Sequence, residues 1–220
     1  MDGPFRRRLV LMVKEPRPGR VKTRLGRDVG MVPAAWWFRR QTAALIRRLR
    51  DPRWDLLLAV APDAEGLASR VWPAGVPRVP QGGGDLGDRM GRLLRSLPPG
   101  PALICGADIP GIDRLAVAEA FAALGRAPAV LGPAPDGGYW CVGLRRAAAP
   151  PARLFEGVRW SSPHALADTR ATLPGAVLVR TLRDVDTAAD LRPLPAGGEG
   201  APAWTAPGRG PLVAATARPC

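Results

Sequence analysis

RLVLMV, residues 8–13, runs directly into KEPRPGRVKTRL, residues 14–25. The first piece is a short apolar run bounded by charge and reads as a buried strand. The second gathers Lys14, Arg17, Arg20, Lys22 and Arg24 around Gly19. A loop that directly follows a first strand sits at that strand's carboxyl end, the edge where open α/β sheets bind ligands. Backbone N–H groups and converging cations at such a place make a polyphosphate site. The loop is not a P-loop, because Val21 stands before Lys22 where that motif has glycine, and it carries no G-x-G-x-x-G fingerprint. The plain alternative is a solvated basic loop. Function is favoured because Lys14 and Lys22 are the only lysines in the chain.

Working outward, further strands are expected at 54–60, 102–105, 129–131 and 139–144, with helices at 34–50, 63–71, 86–97, 112–124 and 163–172. Helix 34–50 puts Phe38, Thr42, Leu45, Ile46 and Leu49 on one face and Arg40 and Arg47 opposite, the pattern of a packed surface helix. Strands alternating with helices predict one α/β domain with a mostly parallel central sheet flanked by helices. A late strand at 177–182 and a loop that caps a short last helix at 184–191 complete it. From about residue 193 the chain is dominated by Pro, Gly and Ala with little periodicity, so 1–192 is expected to be the domain and 193–220 a mobile or wrapped tail. No internal repeat is present.

Composition narrows the function classes. The chain has 220 residues, 46% of them hydrophobic, enough for one core. No run approaches the roughly 18 apolar residues of a membrane span, and no cleavage-site pattern follows residues 5–13, so a cytoplasmic protein without membrane insertion is expected. Cys105, Cys141 and Cys220 form no C-x-x-C, which supports neither a zinc knuckle nor a disulfide framework. The net charge of +13 is dispersed arginine without a nucleic-acid-binding signature, and it would draw polyanions such as nucleotides rather than specify nucleic acid.

Four more segments bear on chemistry. QGGGDLGDRM, residues 81–90, has a glycine run at Gly84 that lets backbone approach a ligand, and Asp85 either joins that contact or simply caps the next helix. ICGADIP, residues 104–110, delivers Asp108 at the end of an apolar strand, a position suited to a hard cation, while Asp113 is the better cap for the following helix. GPAPDGGYW, residues 132–140, is either an Asp-Gly hairpin turn or a sugar site in which Tyr139 and Trp140 stack beside Asp136. DVDTAAD, residues 184–190, points Asp184 and Asp186 the same way if extended, and two such acids need a cation between them. Thr187 or Asp186 would alternatively cap a helix. His164, the only histidine, near a helix start, is read as structural.

Together these segments resemble a bacterial family of GT-A-like transferases named for glycosyltransferases of arsenosugar biosynthesis. That family's pattern runs K-x-P-x-x-G-x-V-K-T-R-L, Q-x-G-x-D-L-G-x-R-M, G-x-D-x-P, G-P-x-x-D-G-G-Y, W-S-[ST]-P and D-V-D-T-x-x-D-L, and all six occur here in order, the last two at 160–163 and 184–191. The family is similar in turn to 2-phospholactate guanylyltransferase and other nucleotidyltransferases. The resemblance implies a Rossmann-like GT-A domain that uses Mg2+ or Mn2+. It places Lys14, Gly19, Arg20, Lys22, Arg24, Gly84 and Asp85 at the nucleotide, Asp108, Asp184 and Asp186 on the metal, and Asp136, Gly137, Gly138, Tyr139 and Trp160 at the sugar or acceptor. Asp108, Asp136 and Lys22 are the implied catalytic groups. Trp140 departs from the family's pattern, as does the tail.

Three functions follow as expectations. The first is metal-dependent glycosyl transfer from a nucleotide-sugar to a small-molecule acceptor. The second is nucleotidyl transfer from a nucleoside triphosphate to a phosphorylated small molecule. The third is a nucleotide-binding module without catalysis.

Overall fold

The computed structural model describes residues 5–146 and 149–191; the expected tail lies outside them. Strand β1 (Arg8–Lys14) is central and runs parallel to β2 (Asp55–Ala61) on one side and β4 (Ala102–Gly106) on the other. Both of its faces are covered, which is why it is an almost unbroken apolar run. Leu9, Leu11 and Val13 pack into one core layer and Val10 into the other. The full order is β3-β2-β1-β4-β6-β5-β7, with β3 at Arg78–Pro80, β5 at Ala129–Pro133, β6 at Tyr139–Leu144 and β7 at Val177–Leu178.

The sheet is mostly parallel, with one reversed strand. β6 is antiparallel to both β4 and β5, because β5 and β6 are joined by the short Asp136-Gly137 turn and a tight turn can connect only antiparallel neighbours. The helices are α1 (Thr23–Val29), α2 (Met31–Leu49), α3 (Asp63–Ala68), α4 (Leu86–Ser96), α5 (Arg114–Leu124) and α6 (Ala165–Ala171), and a 3-10 turn spans Ala188–Leu191. The apolar stripe expected on α2 is buried in full, and Arg40 and Arg47 face solvent. Asp113 caps α5, its carboxylate accepting from the Ala116 amide at 2.7 Å.

Several expectations shift. The basic stretch is loop only in its first half: α1 begins at Thr23, and Lys22 is its N-cap with left-handed backbone, φ 47 and ψ 47. Helix α2 starts three residues before the expected position, since Pro33 is tolerated in a first turn where no N–H is required. Helix α6 starts at Ala165 rather than residue 163, after the positive φ of Ser161 breaks the approach. Beyond Leu178 the ladder ends, although the Val179 and Leu182 amides still reach the carbonyls of Leu131 and Pro133. Strand β3 and helix α1 are too short to show as periodic segments.

Candidate functional site

A cleft of about 840 Å³ opens along the carboxyl edge of the sheet, where β1 lies between β2 and β4. That volume is in the range of small-molecule sites. Lys14 enters it from the end of β1, and Arg20, Lys22 and Arg24 enter from the turn and first helical residues that follow. The turn is held from both ends. The Glu15 amide bonds the Ala61 carbonyl at 2.8 Å, and Arg17 and Arg20 approach the Glu65 carboxylate at 3.3 and 3.7 Å.

At the floor, Asp108, Asp184 and Asp186 have carboxylate oxygens that all lie within 4.8 Å of one another. Asp108 follows β4. Asp184 and Asp186 flank the buried Val185, whose amide donates to the Asp108 carbonyl at 3.2 Å, so the alternation read in the sequence turns both acids toward the cleft. Lys22 Nζ sits among them, 2.7 Å from Asp108 Oδ2 and 2.8 Å from Asp186 Oδ1, with its side chain only 7% exposed. Arg24 Nη1 takes the other oxygen of Asp186 at 2.9 Å. Burial works against the Lys22 ammonium, but Asp108 and Asp186 outweigh it and hold it above its ordinary value. Burial likewise works against the charged form of Asp186 and is outweighed by Lys22 and Arg24, so this carboxyl stands below its ordinary value. Asp184 makes no ion pair among the described residues: burial first, then the charges of Asp186 and Asp108, outweigh the pull of Lys22 and push it up to about 6.

The opposite wall is aromatic. Tyr139 and Trp160 meet edge to face at 6.4 Å, and Phe155 backs Trp160 at 5.9 Å. Tyr139 accepts from the Thr169 hydroxyl at 3.3 Å, and burial raises its phenol. Trp140 borders the cleft but shows it almost no surface. It is 1% exposed and its indole N–H donates to the Arg180 carbonyl at 2.8 Å. The bulk is accommodated because Gly132 faces it, where a Cβ would come within 2.2 Å of Trp140 Nε1. The aromatic partner of Tyr139 in the cleft is therefore Trp160.

The remaining expected residues divide. Asp136 lines the cleft, and its Oδ1 accepts from the Gly138 amide at 2.9 Å. Gly84 and Asp85 also line it, and Asp85 caps α4 in a reciprocal box with Asp88, at 2.8 and 3.0 Å. Gly19 and Gly137 are not among the lining residues. Gly19 gives its turn a φ of +75°, and Gly137, at φ +84°, lies under the Pro163 backbone, where a Cβ would fall 2.2 Å from the carbonyl oxygen.

Two residues of consequence received no role from the sequence. Gln81 is 2% exposed, lines the cleft and donates both amide hydrogens, to the carbonyls of Val13 at 3.0 Å and Ala59 at 2.8 Å, tying the ends of β1 and β2. Asp190 accepts from the Thr187 hydroxyl at 2.7 Å, the Thr187 amide at 2.8 Å and the Asp186 amide at 3.1 Å, and pairs with Arg183 at 2.7 Å. A third acid four residues after Asp186 was the available signal for the second. For Gln81 the available signal was its place as the first fixed residue of the 81–90 pattern, while its partners, 22 and 68 residues away, are set by the fold.

A family profile described as "Uncharacterized protein conserved in bacteria (DUF2064)" matches residues 44–162. No match is found among curated proteins. The fold resembles the crystal structure of a "putative nucleotide-diphospho-sugar transferase" from Desulfovibrio desulfuricans G20, with a TM-score of 0.74, 31% identity and 84% of each chain covered. It also resembles 4-diphosphocytidyl-2C-methyl-D-erythritol synthase from Anaerococcus prevotii DSM 20548, with a TM-score of 0.55, 11% identity, and 86% of this chain and 95% of that one covered. The manganese complex of the Mycobacterium tuberculosis H37Rv protein Rv0371C has a TM-score of 0.50 and 16% identity, with 86% and 96% covered. At such identities the last two establish the fold alone. Among the described residues no helix is long and apolar enough to cross a membrane.

Proposed function

The chain belongs to the bacterial DUF2064 family, and from that premise we propose that it is a metal-dependent transferase that takes a group from a nucleotide-bearing donor, with glycosyl transfer from a nucleotide-sugar as the reaction. The observation that carries the proposal is the convergence, in one cleft, of the Asp108, Asp184 and Asp186 cluster with Lys22 and the basic turn. The cluster is all oxygen, which suits Mg2+ or Mn2+, and Asp184 is the member with no ion pair among the described residues. Bound there, such an ion would neutralise charge on the departing diphosphate.

The side chains divide the rest of the task. Lys14, Arg20, Lys22 and Arg24 hold the phosphates in this reading, which their position along the cleft supports, and cations aimed at a leaving group stabilise the charge that develops on it. Gly84 and Asp85 border the same space. Tyr139 and Trp160 offer ring surface to a sugar or acceptor, with Gly138 beside them. Asp136 keeps one oxygen on the Gly138 amide and has the other to accept a proton from an attacking hydroxyl. Gly19 and Gly137 shape the turns that carry these groups. Cytoplasmic residence and action without nucleic acid or membrane insertion belong to the same reading.

Nucleotidyl transfer is the second reading, favoured by one observation: Lys22 lies inside the acid cluster rather than out on the loop, so cation and metal would act on the same phosphate. Product analysis separates the two. Release of nucleoside diphosphate from a nucleotide-sugar supports the first, and release of pyrophosphate from a triphosphate supports the second. Asp108→Asn is expected to abolish metal-dependent turnover with the fold retained; undiminished turnover would remove Asp108 from the mechanism. Metal-dependent binding without turnover of either donor class would make the chain a binding module.

A further inference from the structure

Both oxygens of Asp186 are already held by cations, Oδ1 by Lys22 and Oδ2 by Arg24, and one oxygen of Asp108 is held by Lys22. These acids are two of the three that form the cluster. A free divalent ion entering it must displace the Lys22 ammonium, and the two cannot share the same carboxylates at contact distance without strong repulsion. Lys22 is 7% exposed. Displaced, its ammonium would be left buried without a counter-charge, a state that proteins avoid. Its tether is short as well, since its own backbone is fixed as the N-cap of α1. The remedy is an anion that arrives with the metal on the side of the basic turn, and a nucleotide's phosphate chain is that anion.

We infer that the cleft takes a metal–nucleotide complex as a unit rather than a free metal followed by a nucleotide, and that Lys22 is the residue that determines this. The inference rests on the reading of the site proposed above. Lys22 serves the acid cluster as a resident counter-ion and is handed over to phosphate when the metal takes its place. Metal and nucleotide then strengthen each other's binding by the same factor, as linkage requires. Chelation of metal by phosphate would also produce such mutual strengthening, so the distinguishing feature is the sign of one effect. A lysine that only binds phosphate leaves the affinity for metal alone untouched when removed, whereas a resident counter-ion, when removed, raises it.

The test is a Mn2+ titration without nucleotide, followed by electron paramagnetic resonance, on the full chain and on Lys22→Met. The variant is expected to bind Mn2+ at least tenfold more tightly. In parallel, amine labelling of the unaltered protein is read by mass spectrometry, with Lys14, the other lysine, as internal reference. Mn2+ is expected to raise labelling of Lys22 severalfold. Equal or weaker Mn2+ binding by a natively folded Lys22→Met overturns the inference while leaving the metal reading intact. So does Lys22 labelling that Mn2+ does not change, and this arm decides alone if the variant does not fold. Absence of Mn2+ binding by both proteins, alone and again with a nucleoside diphosphate present, overturns the inference and the metal reading together.

Discussion

Replacing Asp190 by alanine tests whether the acid strap is held in place from behind. The carboxylate is 9% exposed and closes the turn after Asp186 through three accepted hydrogen bonds and the Arg183 pair. The Ala188 amide is held separately by Asp28 at 2.9 Å. Loss of a capping acceptor of this kind costs about 1–2 kcal/mol. The Arg183 pair is half open to solvent and adds no more than about 0.5 kcal/mol. A total of about 2 kcal/mol corresponds to a fall in Tm of roughly 4–8 °C for a chain of this size. Function should suffer more than stability. Asp186 reaches the cluster only if its backbone keeps this turn, and residues that orient metal ligands typically govern about 10–100-fold in affinity. Asp190→Asn, whose amide oxygen can accept the same bonds, is expected to keep most of the Mn2+ affinity, and Arg183→Met nearly all of it. The assays are thermal melts in chelator and Mn2+ titration by calorimetry. An Asp190→Ala protein that melts lower yet binds Mn2+ like the parent would refute the reasoning and leave Asp190 a plain capping residue.

Three further outcomes follow from the geometry. Gly137→Ala forces a side chain into left-handed backbone and against the Pro163 carbonyl, so a loss of at least about 1–2 kcal/mol is expected, measured by denaturant titration, with a parent-like midpoint counting against the packing described. Asp184 stands at about 6 against an ordinary 3.8, so the folded, metal-free protein holds this proton more tightly than the unfolded chain does, and the stability it contributes is lost as pH rises from about 4 to 6. Metal needs the ionised form, so Mn2+ affinity should rise roughly tenfold per pH unit up to about pH 6 and level off above. A flat profile across that window would exclude Asp184 as the titrating ligand.

Much of the fold was legible because its signals are local. The run from Arg8 to Val13, the α2 stripe and the Asp113 cap depend on residues within a few positions of one another, where periodicity and hydrogen-bond reach are set by the backbone. The same holds for the turn at Asp136-Gly137, although that it reverses β6 within the sheet emerges only from strand pairing. β3, with three residues, carries too little pattern to be read, and β7 keeps only two residues of the strand expected at 177–182, since the extent of both depends on neighbouring strands that supply partners.

At the site, the chemical types are legible along the chain: a cation-rich turn after the first strand, an acid at the end of β4, and paired acids near the end of the described chain. Which of these meet depends on how the sheet is assembled. Lys22 and Asp186 are 164 residues apart, and no local rule places an ammonium 2.8 Å from that carboxylate. Nor does one choose Trp160 over Trp140 as the partner of Tyr139, because that depends on which ring the core absorbs. Side-chain chemistry is written residue by residue. Burial and charge partnership, which set the behaviour of Lys22, Asp184 and Asp186, exist only once the sheet has brought β1, β4 and the final acidic strap to one edge.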